Sequence, residues 1–122
     1  MKDFRNQVAS QVKTYHCKRN VINLNTHNSW KHELIKCRIC YLLKQQNMQF
    51  FTEVPLRRNK HNAIADILVL DTAEVIEIMV SETLKALRKK TEKYPNCLEI
   101  LGVKSADEYF EGKYKLIRAK EI

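Results

Sequence analysis

Ile64-Ala65-Asp66-Ile67-Leu68-Val69-Leu70 and Val75-Ile76-Glu77-Ile78-Met79-Val80 are the two stretches whose reading decides the fold. Each is an aliphatic run of strand length, and Asp71-Thr72-Ala73-Glu74 between them has the composition of a tight turn. Two apolar runs joined by about four turn residues predict an antiparallel hairpin. Neither run alternates apolar with polar. Both are apolar on both faces, as strands at the centre of a sheet are. Each is nevertheless interrupted by one acid. A carboxylate buried alone in such a strand costs several kcal/mol and requires a partner, a raised pKa or a metal. Two of them, Asp66 and Glu77, facing each other across one ladder make an oxygen-rich pocket suited to a hard cation such as Mg²⁺ or Mn²⁺. Such an ion activates water and stabilises charge on a phosphodiester. The plainer alternative is that each acid pairs with a nearby Lys or Arg.

Upstream, Phe50–Leu56 reads as another strand, and Arg57-Arg58-Asn59-Lys60-His61-Asn62 as a polar, basic loop before the Asp66 strand. Before these, Ser29 is placed to cap a helix running from Trp30 to about Gln46. Trp30, Leu34, Cys37 and Tyr41 fall on its apolar face, widened by Ile35, Ile39 and Leu42; Lys31, Lys36, Arg38 and Lys44 fall on the other. Downstream, residues 83–94 predict a helix with Leu84, Leu87, Thr91 and Tyr94 inward and Lys85, Arg88, Lys89, Lys90 and Lys93 outward. Pro95 stops it. Cys97–Val103 is a fourth strand, parallel to the third because a helical crossover joins them. The expected class is α/β, a mixed sheet flanked by helices in the order α-β-β-β-α-β. One globular body is expected. Residues 1–28 form its N-terminal helix (Phe4, Val8, Val12 and Tyr15 at helical spacing over 1–19) and an Asn-rich linker; residues 29–122 form the main domain.

The run Ala65-Asp66-Ile-Leu-Val-Leu followed by Glu77-Ile78, with Glu33 on the preceding helix, resembles the PD-(D/E)XK nuclease superfamily, whose core is restriction-endonuclease-like. The resemblance covers about residues 29–103. Glu53-Val54-Pro55-Leu56 and the segment from Lys89 to Pro95 look like its small Holliday-junction-resolvase-like and viral members. It implies a Mg²⁺- or Mn²⁺-dependent deoxyribonuclease, an endonuclease acting on DNA, branched DNA included, as a homodimer. Glu33, Asp66 and Glu77 would hold the metal, with Glu53 as an auxiliary acid. The family's strand lysine is replaced by Met79, a poor ligand for Mg²⁺ and no source of charge. Lys85 or Lys89 on the following helix is expected to stand in for it. Otherwise the chain is a catalytically inactive nucleic-acid-binding module on the same fold.

Composition agrees with a polyanionic partner. Lys and Arg number 22 against 14 Asp and Glu, a formal charge of +8. Arg57, Arg58 and Lys60 on one side of the site, with Arg88 and Lys93 on the other, are candidate phosphate contacts, each equally readable as a solvated surface charge. No apolar run reaches membrane-spanning length, and the first ten residues lack a signal core, so an intracellular protein (cytoplasmic or nucleoid-associated) with no membrane partner is expected. The four cysteines are then reduced thiols. Cys37 and Cys40 form a lone CxxC in mid-helix. Packing accounts for them more simply than a zinc-stabilised regulatory site does.

Overall fold

The computed structural model describes residues 2–11, 17–58, 61–110 and 117–118. Its elements are α1 (Lys2–Ala9), α2 (Trp30–Gln45), β1 (Phe50–Arg58), β2 (His61–Val69), β3 (Glu74–Ile78), α3 (Leu84–Thr91), β4 (Glu99–Val103), α4 (Ala106–Phe110) and the two-residue β5 (Ile117–Arg118). Four strands lie in the spatial order β1-β2-β3-β4, and β5 adds to the far edge. The first two pairings are antiparallel, and β3 runs parallel to β4, as a strand–helix–strand crossover requires. The protein is therefore α/β, with the expected α-β-β-β-α-β order from α2 to β4. The Asp66 and Glu77 strands are the central pair.

Two apolar clusters cover the two faces of the sheet. Val8 and Ala9 of α1, Leu87 of α3 and Tyr94 pack with Val54, Leu68 and Val75 on one face. Ile39, Cys40 and Leu43 of α2, with Ala106 of α4, pack on Phe50, Ile67, Ile76 and Ile78 on the other. α1 is pinned by Arg5, whose guanidinium lies 2.6 Å from Asp71 in the β2–β3 turn. α1 thus docks on the main body. The helix expected over 1–19 is described only as far as Ala9; Val12 and Tyr15 lie outside the described residues. The Asn-rich stretch after them is an edge cover. Asn20 N–H donates to Phe50 O, Phe50 N–H returns a bond to Asn20 Oδ1, and Asn23 N–H reaches Thr52 Oγ1. The two bonds to Phe50 occupy backbone groups that the outer edge of β1 would otherwise leave open, and the third holds the Thr52 side chain.

Three expectations need correction. Residues 57–58 and 61–62 are strand rather than loop: β1 runs to Arg58 and β2 starts at His61, with Arg57↔Asn62 and Arg58↔His61 paired. α3 ends at Thr91, before Pro95 acts, and Leu84 is exposed while Leu87 and Tyr94 are buried. α2 turns a different face inward. His32, Glu33, Lys36, Ile39, Cys40 and Leu43 are buried, and Trp30, Leu34 and Tyr41 are exposed. Polar residues on the buried face balance one another, so an apolar count along the helix points to the wrong stripe.

Gly102 sits opposite Glu77 in the β3–β4 ladder. A Cβ there would run into Met79 Sδ and lie 2.8 Å from Leu87 Cδ2. Met79 thus packs over a notch that only glycine leaves open. Gly102→Ala is expected to destabilise the protein by about 1–3 kcal/mol, read as a lower urea midpoint with unchanged slope. A cost below a few tenths would mean that Met79 swings aside freely.

Candidate functional site

The site begins with a break in the sheet. β1 and β2 pair continuously on either side of Glu53 and Asp66 but not at that pair. The β2–β3 ladder stops at Ile67↔Ile76, one step short of placing Asp66 opposite Glu77. The three acids therefore occupy one row across three strands, and the ladder is open where they meet. Side-chain alternation breaks at the same place. Phe51 and Val54, three residues apart, lie in the same cluster, while Ala65 and Ile67, two apart, lie on opposite faces. Glu53 itself has φ of 50°, a left-handed conformation uncommon for a residue with a side chain. Such backbone costs of order 1–3 kcal/mol and is held in place by its surroundings.

Asp66 repairs part of the break. Its Oδ2 accepts the Ile78 N–H at 2.8 Å, standing in for a missing ladder carbonyl, and lies 3.2 Å from His32 Nε2. His32 Nδ1 lies 2.7 Å from Glu33 Oε2, so the imidazole bridges two carboxylates. The hydrogen bond with Asp66 raises the His32 pKa to about 9, with the Asp66 and Glu33 charges adding to it against burial. The ring is thus an imidazolium at neutral pH and donates from both nitrogens. Burial acts to raise the Asp66 pKa, but His32 and the Ile78 N–H outweigh it and hold the carboxyl below its usual range.

Glu77 is the most enclosed acid of the group and is fully buried. Tyr94 O–H donates to its Oε1, and Lys90 Nζ lies 3.4 Å from its Oε2. Burial first, then the charge of Asp66, pushes the Glu77 pKa up to about 8 despite Lys90 and Tyr94. Lys90 also lies 3.5 Å from Glu82 Oε1, and Glu77, Glu82 and Asp66 together raise its pKa. Glu82 Oε2 is shielded from solvent and accepts no hydrogen bond. Lys90 thus faces two carboxyl groups, Glu77 and Glu82.

Behind this group lies a second one. Lys36 is completely buried, with Nζ 2.5 Å from Glu33 Oε1 and 2.8 Å from Glu53 Oε1. Asn25 N–H also donates to Glu33, and Asn28 Nδ2 reaches its other oxygen. The acids expected to share a metal are therefore divided. Asp66 and Glu77 stand side by side, whereas Glu33 and Glu53 are taken up by Lys36, with His32 between Glu33 and Asp66. Among the described residues no three His, Cys, Asp or Glu side chains are grouped to hold one ion. Among the described residues Glu33 is therefore not brought together with Asp66 and Glu77 as a three-carboxylate group. Cys40 is buried and its thiol is pushed up to about 12 by burial, as a packing residue's would be.

Lys85 and Lys89 are exposed, and the helix lysine that reaches Glu77 is Lys90, one position on. Arg88 and Lys93 are exposed on the same helix and the turn after it. Of the hairpin-end cations, Arg57 and Arg58 are described as strand backbone, and Lys60 lies outside the described residues. Lys36, Glu82, Lys90 and Tyr94 are the members of the site that pattern reading missed, and His32, which beside Glu33 reads as either grazing the site or solvated, belongs to it. The one sequence signal was the spacing His32-Glu33-x-x-Lys36, which places these side chains on one side of a helix turn. Among the described residues no helix is long and apolar enough to cross a membrane. No family model matches the chain, and no curated protein or solved structure matches it either.

Proposed function

We propose that the chain is a divalent-metal-dependent DNA phosphodiesterase on a restriction-endonuclease-like core, with Asp66 and Glu77 as its metal-holding pair. One observation carries this reading: two carboxylates side by side on central strands, at the point where the ladder opens, with Lys90 against one of them. The donor set suits Mg²⁺ or Mn²⁺ in a restricted way. Mg²⁺ is commonly held by one or two carboxylates, with water and substrate phosphate completing its shell. The shielded Glu82 Oε2, which has no hydrogen-bond partner, also favours an added cation. When bound, the ion supplies an activated water and charge stabilisation at phosphorus.

The chain's own groups prepare that chemistry. His32 and the Ile78 N–H orient Asp66, and Tyr94 fixes one oxygen of Glu77. Lys90 takes the role assigned to the absent strand lysine, offering positive charge toward the reacting phosphate. Exposed Lys85, Arg88, Lys89 and Lys93, with the hairpin-end Arg57, Arg58 and Lys60, track the DNA backbone without reading sequence.

Cleavage of supercoiled plasmid and of four-way-junction DNA with Mg²⁺ or Mn²⁺ tests this. Asp66→Asn is expected to abolish cutting, and Lys90→Met to slow it by about 10²–10³-fold while Lys85→Met does not. Cleavage unaffected by Asp66→Asn would remove the assignment.

A second reading rests on Met79, an uncharged thioether buried over Gly102, and on the division of the acids. It takes the chain as a DNA-binding module without catalysis. Salt-sensitive DNA binding with no metal uptake in calorimetry would favour it.

A further inference from the structure

α2 carries an apolar seam that packs against none of the buried core clusters among the described residues. Trp30, Leu34 and Tyr41 are 76%, 53% and 61% exposed, and Cys37 is half-buried between them. The spacing 30-34-37-41 is the four–three–four step of a coiled-coil seam, and at 100° per residue the four side chains point within one narrow sector. Beside the seam, between α2 and the start of α4, lies a groove of about 820 Å³, floored by Ile22, Ile35, Cys37 and Ala106. Large apolar residues beside a concave apolar surface mark a protein contact.

Charge identifies the occupant. Lys31 and Arg38, seven residues apart and both exposed, lie on the groove side of the seam, and Lys44 lies on the other. The one acid lining the groove, Asp107, meets Arg38 only at 3.4 Å, with both side chains largely solvated. An antiparallel copy of α2 would bring the Lys31–Arg38 rim against the same rim, on a chain already at +8. A helix with acidic flanks removes that conflict and gains the apolar contact.

We propose that the α2–α4 face is a docking site for an acidic amphipathic helix of another protein, laid along the Trp30–Leu34–Cys37–Tyr41 seam. This site lies on the outer side of α2, away from Asp66, and does not depend on the chemistry there.

Trp30 is the chain's one tryptophan, so its fluorescence reports this surface alone. The probes are synthetic helical peptides of the length of α2. They carry Leu, Ile or Phe at seam positions and either Glu or Lys at the flanks. The Glu-flanked peptides are expected to shift Trp30 emission to the blue in a saturable, salt-weakened way. They should bind about tenfold or more tighter than the Lys-flanked set, with like-charge contact disfavouring the latter. Leu34→Ser, at an exposed position that leaves the far-ultraviolet circular dichroism unchanged, is expected to remove the shift. Three results would overturn the proposal: no shift with any Glu-flanked peptide, equal or tighter binding of the Lys-flanked set, or binding untouched by Leu34→Ser. A shift driven by the protein's own concentration, matched by dimer formation in sedimentation, would also overturn it and assign the face to a second copy.

Discussion

Lys36→Met is expected to cost the fold about 3–5 kcal/mol, the penalty for breaking a buried ion pair by removing one partner. That is a large share of the 5–15 kcal/mol by which domains are typically stable. The Lys36 ammonium is wholly enclosed between Glu33 and Glu53. Methionine keeps the stem's volume but leaves two carboxylates facing each other with no cation between them. Glu33 retains Asn25, Asn28 and His32, so Glu53, at its left-handed backbone position, is the acid left more exposed to the loss. The urea midpoint should fall sharply, and most of the loss should return in the triple variant Lys36→Met, Glu33→Gln, Glu53→Gln, where no charge is stranded. A drop of less than about 1 kcal/mol in the single variant would mean that both acids reach solvent, as an exposed pair does.

Stability is expected to fall as pH rises from about 5 to 9, the reverse of the usual carboxylate-driven trend on the acid side. Two groups set the sign. Glu77 is raised from 4.5 to about 8, so the folded state holds its proton more tightly than the unfolded state does. Its contribution is whole below 4.5 and is lost as pH rises through about 8. His32 is raised from 6.5 to about 9, so its contribution is whole below 6.5 and is lost on rising through about 9. Between 6.5 and 8 both act together, at up to about 1.4 kcal/mol per pH unit for each proton. On the acid side Glu33, Asp66 and Asp71, all depressed, lose their contributions as pH falls below their ordinary values. Maximum stability therefore lies near pH 4.5 to 5 by linkage. Thermal midpoints across pH 4–9 check this. Glu77→Gln should flatten the alkaline limb, and Mg²⁺, competing with the protons, should raise the midpoint more at pH 8 than at pH 6. A wild-type profile flat from pH 5 to 9 would contradict the protonation states assigned to both residues.

The two effects share an origin, and it also explains which parts of the site could be read in advance. Asp66 and Glu77 announce themselves because each is a lone charge in a run of aliphatic residues, and burial of such a strand follows from composition. Ser29 at the N-cap follows from the same local logic, and its hydroxyl does accept the His32 N–H. Lys36 and His32 sit in a helix that carries charge on most sides, where local chemistry treats an ammonium as a solvated one. Only the approach of Glu53 and Asp66 from strands 17 and 34 residues away turns them inward. Choosing Lys90 over Lys85 or Lys89 likewise depends on how far α3 is rotated over β3, which Leu87 and Tyr94 fix by packing.

The order of elements, the antiparallel hairpin, the parallel fourth strand and the centrality of the two acids were already contained in the chain, because periodicity, turn composition and crossover length are local properties. The pairing of the acids was not. The break in the ladder at Glu53 and Asp66, the burial of Lys36, the bridging His32 and the exposed Trp30 seam arise where distant segments meet. There the balance between desolvating a charge and finding its counter-charge is decided by three-dimensional proximity, which no local pattern carries.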